Sequence, residues 1–409
     1  MSKDVRMRGF RERVDVETVL AEIDRRVRRL LDESVPLLEA SDRILARDAA
    51  SAVDVPAFAR SAMDGYAVVA RETFGATPDD PCVLRVVGQS LPARPADAIV
   101  TPGTSVRIMT GAPLPKGADA VAPVEQTDAG ETRVRVTQPV TPGKNVGAIG
   151  EDIKQSAVVL GAGRRLRPHD LGVLSSIGFA QVFVVRQPSV AVLVTGNELL
   201  PPGSVPSGYR IVDANSPMLG PLVRRDGGVP LDVVRVGDDR DRLAEALLSA
   251  TQSADCVLVS GGSSVGVDDH MPQIVAAEGD LPVHGVAMRP SSPTGLGFVK
   301  DKPVFLLPGN PVSCLCAYDF FAGRAIRILA GRPPNWPHVA LRMPLKRKIA
   351  SALGRTDYVR VRIEDNRIVP LAIRGASILT STTRAHGFVI VPKDLEGYPE
   401  GEAVTVRLY

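Results

Sequence analysis

Five acids and three glycine-bearing loops hold most of the chemistry this sequence can offer. Glu198 follows Thr195-Gly196-Asn197, the pair Asp238-Asp239 follows Gly237, and Asp268-Asp269 closes the stretch from Ser260 to Val267. Each acid lies just beyond an apolar run that reads as a strand. Carboxylates gathered beside glycine turns suit a hard cation such as Mg²⁺ that bridges phosphates. Aspartate also starts helices, so the pair Asp238-Asp239 reads equally well as a helix beginning. The third loop, Pro308-Gly309-Asn310-Pro311, has no acid. It delivers a strand to a helix N-terminus, where free N–H groups and the helix dipole favour an anion. Ser260–Gly266 lacks the Gly-Lys-Ser/Thr ending of a Walker A loop. Its glycines (Gly261, Gly262, Gly266) and hydroxyls (Ser260, Ser264) still allow a ligand to approach the backbone closely. Together the loops announce a phosphate-bearing or otherwise anionic ligand.

Such loops need strands to bring them together. Apolar runs at Val190–Thr195, Leu231–Val236, Cys256–Ser260 and Val283–Met288 alternate with helical patterns. One helix begins near Asn215-Ser216-Pro217, read as a capping residue and then proline in the first turn, and another covers Asp241–Ala250. Leu296–Val299 and Val304–Leu307 form a hairpin around Asp301-Lys302. Residues 186–332 therefore predict a largely parallel α/β domain, in which ligands sit outside the carboxyl ends of the strands.

The remainder divides by pattern. Residues 51–149 hold short strands broken by proline and glycine, at Val83–Val87, Val106–Met109, Ala120–Pro123 and Thr132–Val136, which predicts a small β domain. The apolar spacing of Val16–Leu31 predicts a helix whose arginines at 25, 26, 28 and 29 form a solvated C-terminus. Residues 161–185 are expected to pack against that helix, making 1–50 with 150–185 a mixed domain and the β domain an insertion. Residues 333–409, after the proline-rich linker at Gly331–Pro337, are again β.

The chain has 409 residues, with 44% hydrophobic and 23% charged content, as in a soluble globular protein of several domains. A net charge of +3, from 49 basic and 46 acidic residues, leaves no nucleic-acid footprint, and 4% aromatics offer few stacking platforms. The N-terminus lacks the apolar core of a signal peptide, and no run of about 18 uncharged apolar residues predicts a membrane helix. A cytoplasmic protein is expected. Cys82, Cys256, Cys314 and Cys316 have no zinc-site spacing and read as buried thiols.

Six motifs fall in a familiar order: SAMDGYAV at 61–68, RIMTGAPLPKGADAV at 107–121, GEDI at 150–153, TGNEL at 195–199, SGGSSVGVDD at 260–269 and LPGNPVS at 307–313. With them the chain closely resembles the molybdopterin molybdenumtransferases, the MoeA family related to the E domain of gephyrin. The similarity extends to GRTDYVRV at 354–361 and ASILTSTTRAHGFVIVP at 376–392. It implies a central MogA-like α/β domain and a C-terminal domain resembling a β-barrel, in a homodimer of four-domain subunits. The activity implied is insertion of molybdate into adenylylated molybdopterin, with release of AMP. Contact with the adenylyltransferase that supplies this substrate is a further implication. Glu198, Asp238 or its neighbour, and Asp269 would position Mg²⁺ and nucleotide, with Glu198 and Asp269 as metal ligands. Pro308, Gly309, Asn310 and Pro311 would form one wall. Asp64, Thr110 and Asp152 would complete the site from the partner subunit, a role that their own context, which reads as simple turns, does not reveal.

Two departures stand out. Family members carry two lysines around a Pro-Gly-Lys-Pro turn that holds the oxyanion. Here the segment is Arg289-Pro290-Ser291-Ser292-Pro293, so Arg289 keeps one cation and Ser292 loses the other. TGDE has also become TGNE, with Asn197 in place of an acid. A molybdopterin adenylyltransferase is one rival reading. A scaffold that binds precursors without inserting metal, motivated by Ser292, is another.

Overall fold

The computed structural model describes residues 13–263, 269–372 and 375–409. The chain forms two compact units. The larger comprises residues up to Glu33, Asp42–Ile44 and Val184–Tyr409, and the smaller comprises Ser34–Ser41 and Leu45–Phe183. Among the described residues no helix is long and apolar enough to cross a membrane.

Helix α1 (Val16–Arg26) buries Val16, Val19 and Ile23, the stripe its spacing predicts. That stripe joins Val190, Leu219 and Phe298 in the core of the larger unit, and not residues 161–185 as expected. A backbone bond from Val14 N to Gly285 O fixes its entry there, a long-range partner that periodicity cannot reveal. The helix ends at Arg26, short of the expected Leu31. Arg28 folds back onto the carbonyls of Asp24, Arg25 and Val27, and Arg26 reaches Asp280 at 2.6 Å. The arginines thus cap and pair the helix end.

In the smaller unit five strands form one sheet: β1 (Gly65–Val68), β2 (Cys82–Ser90), β3 (Thr104–Ile108), β4 (Ala120–Pro123) and β5 (Arg133–Val136). Their order is β4-β1-β3-β2-β5. Only β2 and β3 run parallel. Alternation decides the buried face: Val134 and Val136 turn inward, Arg133 and Arg135 outward.

The larger unit is built on a six-stranded sheet. Its elements are β6 (Ser189–Thr195), α2 (Asn215–Arg225), β7 (Val229–Val236), α3 (Arg240–Ser253), β8 (Cys256–Ser260), α4 (Met271–Glu278), β9 (Asp280–His284), β10 (Met288–Arg289), β11 (Gly295–Val299), β12 (Lys302–Leu307) and α5 (Pro311–Ala317). The order is β7-β6-β8-β12-β11-β9, with β10 outside it. β7, β6, β8 and β12 are mutually parallel, so their carboxyl ends share one edge. β6, β8 and β12 are apolar and almost wholly buried, as a sheet covered on both faces requires. The expected strand Val283–Met288 is broken. The chain turns at Gly285, φ +101°, and β10 leaves the sheet.

β10 joins the C-terminal sheet of β13 (Ala340–Pro344), β14 (Thr356–Glu364), β15 (Arg367–Ala372), β16 (Gly387–Val391) and β17 (Ala403–Leu408). It pairs parallel with β14, Met288 opposite Thr356 and Arg289 opposite Asp357. The α/β and C-terminal portions of the larger unit thus share a strand pair.

Candidate functional site

The shared carboxyl edge opens into a cleft of about 560 Å³. Thr195, Ser260 and Leu307 end their strands there, and the loops beyond them contribute Glu198, Gly261, Gly262 and Pro308–Pro311 to its wall. Asp238, beyond β7, and Asp269 complete an acidic side. Three of the predicted acids are therefore brought together with the three predicted loops. Ser264, Gly266 and Asp268 lie outside the described residues. Among the described residues no group of three or more acids, histidines or cysteines is placed to hold a metal ion.

The pair Asp238-Asp239 divides its work. Asp239 caps α3, its Oδ1 accepting from Arg242 N at 2.9 Å. Asp238 faces the cleft and accepts from Asn197 N at 3.0 Å, while Asp238 N donates to Asn197 Oδ1 at 3.2 Å. The asparagine that replaces a family acid thus clasps the next loop without adding negative charge beside Glu198 and Asp238.

The loops are fixed to one another. Gly261 has φ +97°, and a Cβ there would lie 2.5 Å from Thr195 O. Gly261 N donates to Leu307 O at 3.1 Å, so the middle loop lies between its two neighbours. Gly261→Ala is expected to destabilise the larger unit by about 2–3 kcal/mol, from a left-handed backbone and a clash with a carbonyl. Denaturant melts measure this, and an unchanged midpoint would contradict it.

Asn215, which sequence reasoning took for a helix cap, does something else. Asp213 caps α2, accepting from Asn215 N at 2.9 Å and Ser216 N at 3.0 Å. That leaves Asn215 Nδ2 to donate to Ser260 Oγ and Gly309 O, both at 2.8 Å. Asn215 Oδ1 and Thr195 Oγ1, both in residues lining the cleft, are buried without a partner among the described residues.

A second cavity of about 340 Å³ adjoins the first, sharing Pro293, Pro308 and Asn310. Arg289 and Ser292 line it as the sequence predicts, and so does Arg360 from β14, a residue the prediction missed. Arg360 is 0% exposed. Arg289 Nη2 donates to Asp357 Oδ2 at 2.6 Å. Arg289 Nε and Ser292 Oγ are buried and unpartnered among the described residues. Ser291 holds φ +87°, where the family turn has glycine, and its Oγ donates to Ser313 O at 2.6 Å. Two guanidinium groups in its lining are side chains of a kind that suits an oxyanion.

Asp64, Thr110 and Asp152 belong to the smaller unit. Asp64 Oδ1 accepts from both N and Oγ1 of Thr110, each at 2.7 Å. The Thr110 hydroxyl, then its N–H, holds the Asp64 carboxyl below the ordinary carboxylate range. Thr110→Ala is expected to raise that pKa part of the way back, because the N–H bond remains. A carboxyl-carbon NMR titration checks the sign. Asp152 is exposed, and its N donates to Val55 O at 3.1 Å.

The cysteines contribute no reactive thiol to either cavity. Cys256, Cys314 and Cys316 are buried, and burial pushes the Cys314 thiol up to about 12. Cys82 is half-buried, against the expectation of full burial, because it begins β2 beside the unit's surface.

Three family models match the chain: the MoeA N-terminal region (domain I and II) over residues 14–178, a probable molybdopterin binding domain over 191–327, and the MoeA C-terminal region (domain IV) over 342–409. The chain is 36% identical over 386 residues to a putative molybdopterin biosynthesis protein of Methanocaldococcus jannaschii, covering 92% of each. It is 34% identical over 403 residues to molybdopterin molybdenumtransferase 2 of Mycobacterium tuberculosis, covering 95% of this chain and 97% of that one. A crystal structure of the molybdopterin biosynthesis MoeA protein from Pyrococcus horikoshii superposes with a TM-score of 0.84 at 33% identity, covering 97% of this chain and 99% of that chain.

Proposed function

Because the chain belongs to the MoeA family, we propose that it is a molybdopterin molybdenumtransferase that inserts molybdate into adenylylated molybdopterin and releases AMP. The observation that carries the reading is the pair of adjoining cavities. One is lined by carboxylates and loop backbone, the other by Arg289 and Arg360, and they meet at Pro293, Pro308 and Asn310. Adenylate and phosphates fit the first, over the strand ends. A tetrahedral oxyanion suits the second, whose lining includes Arg289, Arg360 and Ser292.

Glu198 and Asp269 would hold Mg²⁺ on the phosphates, with Asp238 lining the same cleft. Two carboxylates suit a cation that keeps waters and takes substrate oxygens as ligands. Bound there, the ion would offset charge developing on the cleaved link. Asn215 holds the Ser260 and Gly309 loops at a fixed spacing, and Arg289 and Arg360 exchange the oxyanion's water shell for guanidinium donors. Arg360 also supports transfer over the scaffold reading, since it is a second cation in the pocket where Ser292 lacks one.

Asp64, Thr110 and Asp152 complete the cleft of a second copy in this reading, so the working enzyme is a homodimer. The four-domain division expected from the sequence is part of the same reading. The adenylyltransferase that makes the substrate is its expected docking partner.

Purified protein is incubated with adenylylated molybdopterin, Mg²⁺ and either molybdate or tungstate, and AMP is measured. Anion-dependent AMP release is expected. No AMP with either anion, from folded protein, overturns the proposal. Adenylylated molybdopterin accumulating from molybdopterin and ATP would favour the adenylyltransferase instead. For the shared site, Asp64→Asn and Glu198→Gln are unfolded together and refolded as mixed dimers, and recovered activity is the expected result.

A further inference from the structure

We propose that Asp357 is a positioning residue that sets the Arg289 guanidinium for the incoming oxyanion, an inference that rests on the anion pocket proposed above. The carboxylate is wholly buried. Its Oδ2 accepts from Arg289 Nη2 at 2.6 Å and from Ser351 Oγ at 2.8 Å. Arg355 Nε lies 3.1 Å from Oδ1, within ion-pair range but not aligned as a hydrogen bond. The backbone enforces this arrangement, because Arg289 and Asp357 are register partners across β10 and β14.

An arginine is long and has many rotamers, and an unheld guanidinium would be ordered only by the anion it binds. The clamp orders it beforehand. It occupies one nitrogen and leaves Nε without a partner among the described residues, on a residue that lines the cavity with Ser292. Charge alone argues against an acid here. Asp357 is an anion beside a site for anions, and it cancels part of the charge of Arg289. Positioning and charge therefore predict opposite signs for its removal.

Asp357→Asn decides between them, with molybdate and tungstate affinities measured by calorimetry and AMP affinity as the reference. Positioning predicts that oxyanion Kd weakens about tenfold or more while AMP Kd stays within about twofold. In an Arg289→Lys background the same change should cost less than about threefold, because a lysine has no fork to orient. Equal or tighter oxyanion binding by Asp357→Asn overturns the inference. Should that variant fail to fold, Ser351→Ala keeps the carboxylate and removes one of its two donors. An oxyanion Kd weakened about two- to fivefold is then expected, with thermal midpoint near wild type. Unchanged affinity overturns the inference by that route. If wild-type protein binds neither oxyanion, the proposed function itself falls and this inference with it. If wild type binds and only the Asp357 and Ser351 results disagree, the function stands alone.

Discussion

Arg360→Met is expected to weaken molybdate and tungstate binding about 100-fold and to reduce anion-dependent AMP release at least as much. Arg360 is the largest fully buried side chain among the described residues and lines the smaller cavity. A hydrogen bond to a charged group contributes about 1.5–3 kcal/mol, and each 1.4 kcal/mol is tenfold in affinity. Methionine keeps the length and apolar bulk of the stem, so the core beside it is filled. AMP binding provides the internal control, because the proposed nucleotide site is the other cavity. A variant that binds AMP as wild type and has lost the oxyanions supports the assignment. One that keeps both anions at wild-type affinity contradicts it.

Glu198→Gln carries the second large effect. The carboxylate is exposed on the acidic side of the cleft, where an isosteric amide keeps shape and removes charge. Stability should move by less than about 0.5 kcal/mol, as for a surface substitution. The rate of AMP release should fall about 10²- to 10³-fold, the scale of losing one charged group that offsets charge developing in the transition state. Raising Mg²⁺ should recover part of the loss, since the change acts through cation affinity. A wild-type rate would remove Glu198 from the site. The same loss with no response to Mg²⁺ would assign it another role.

Much of this site is written locally in the chain. Val190–Thr195, Cys256–Ser260 and Val304–Leu307 are continuous apolar runs ended by a glycine turn, so strand, turn and sheet edge can all be read from short windows. What escaped was set by long-range pairing. Asp64 and Thr110 are 46 residues apart in sequence and meet because β1 pairs with β3, Gly65 opposite Ile108. Arg360 reads as the polar face of an alternating strand, but β14 is buried on both faces over Thr356–Val361. Asn215 carries a residue type that favours helix caps, and the cap is formed instead by Asp213 two positions earlier. The misplacement of α1 has the same origin: its stripe was legible, the surface it meets was not.

The pairing of β10 with β14 has a consequence for how the protein opens. Arg289 and Asp357 meet across a strand pair that lies outside the six-stranded sheet. The parallel strands that shape most of the larger cleft make their contacts within that sheet. Partial opening of the C-terminal sheet would therefore dismantle the smaller cavity while the strand edge under the larger cleft stayed folded. Amide exchange should show Arg289 and Asp357 losing protection together, ahead of β6, β8 and β12. Competence to hold the proposed oxyanion is then lost while the edge that would take a nucleotide is still in place.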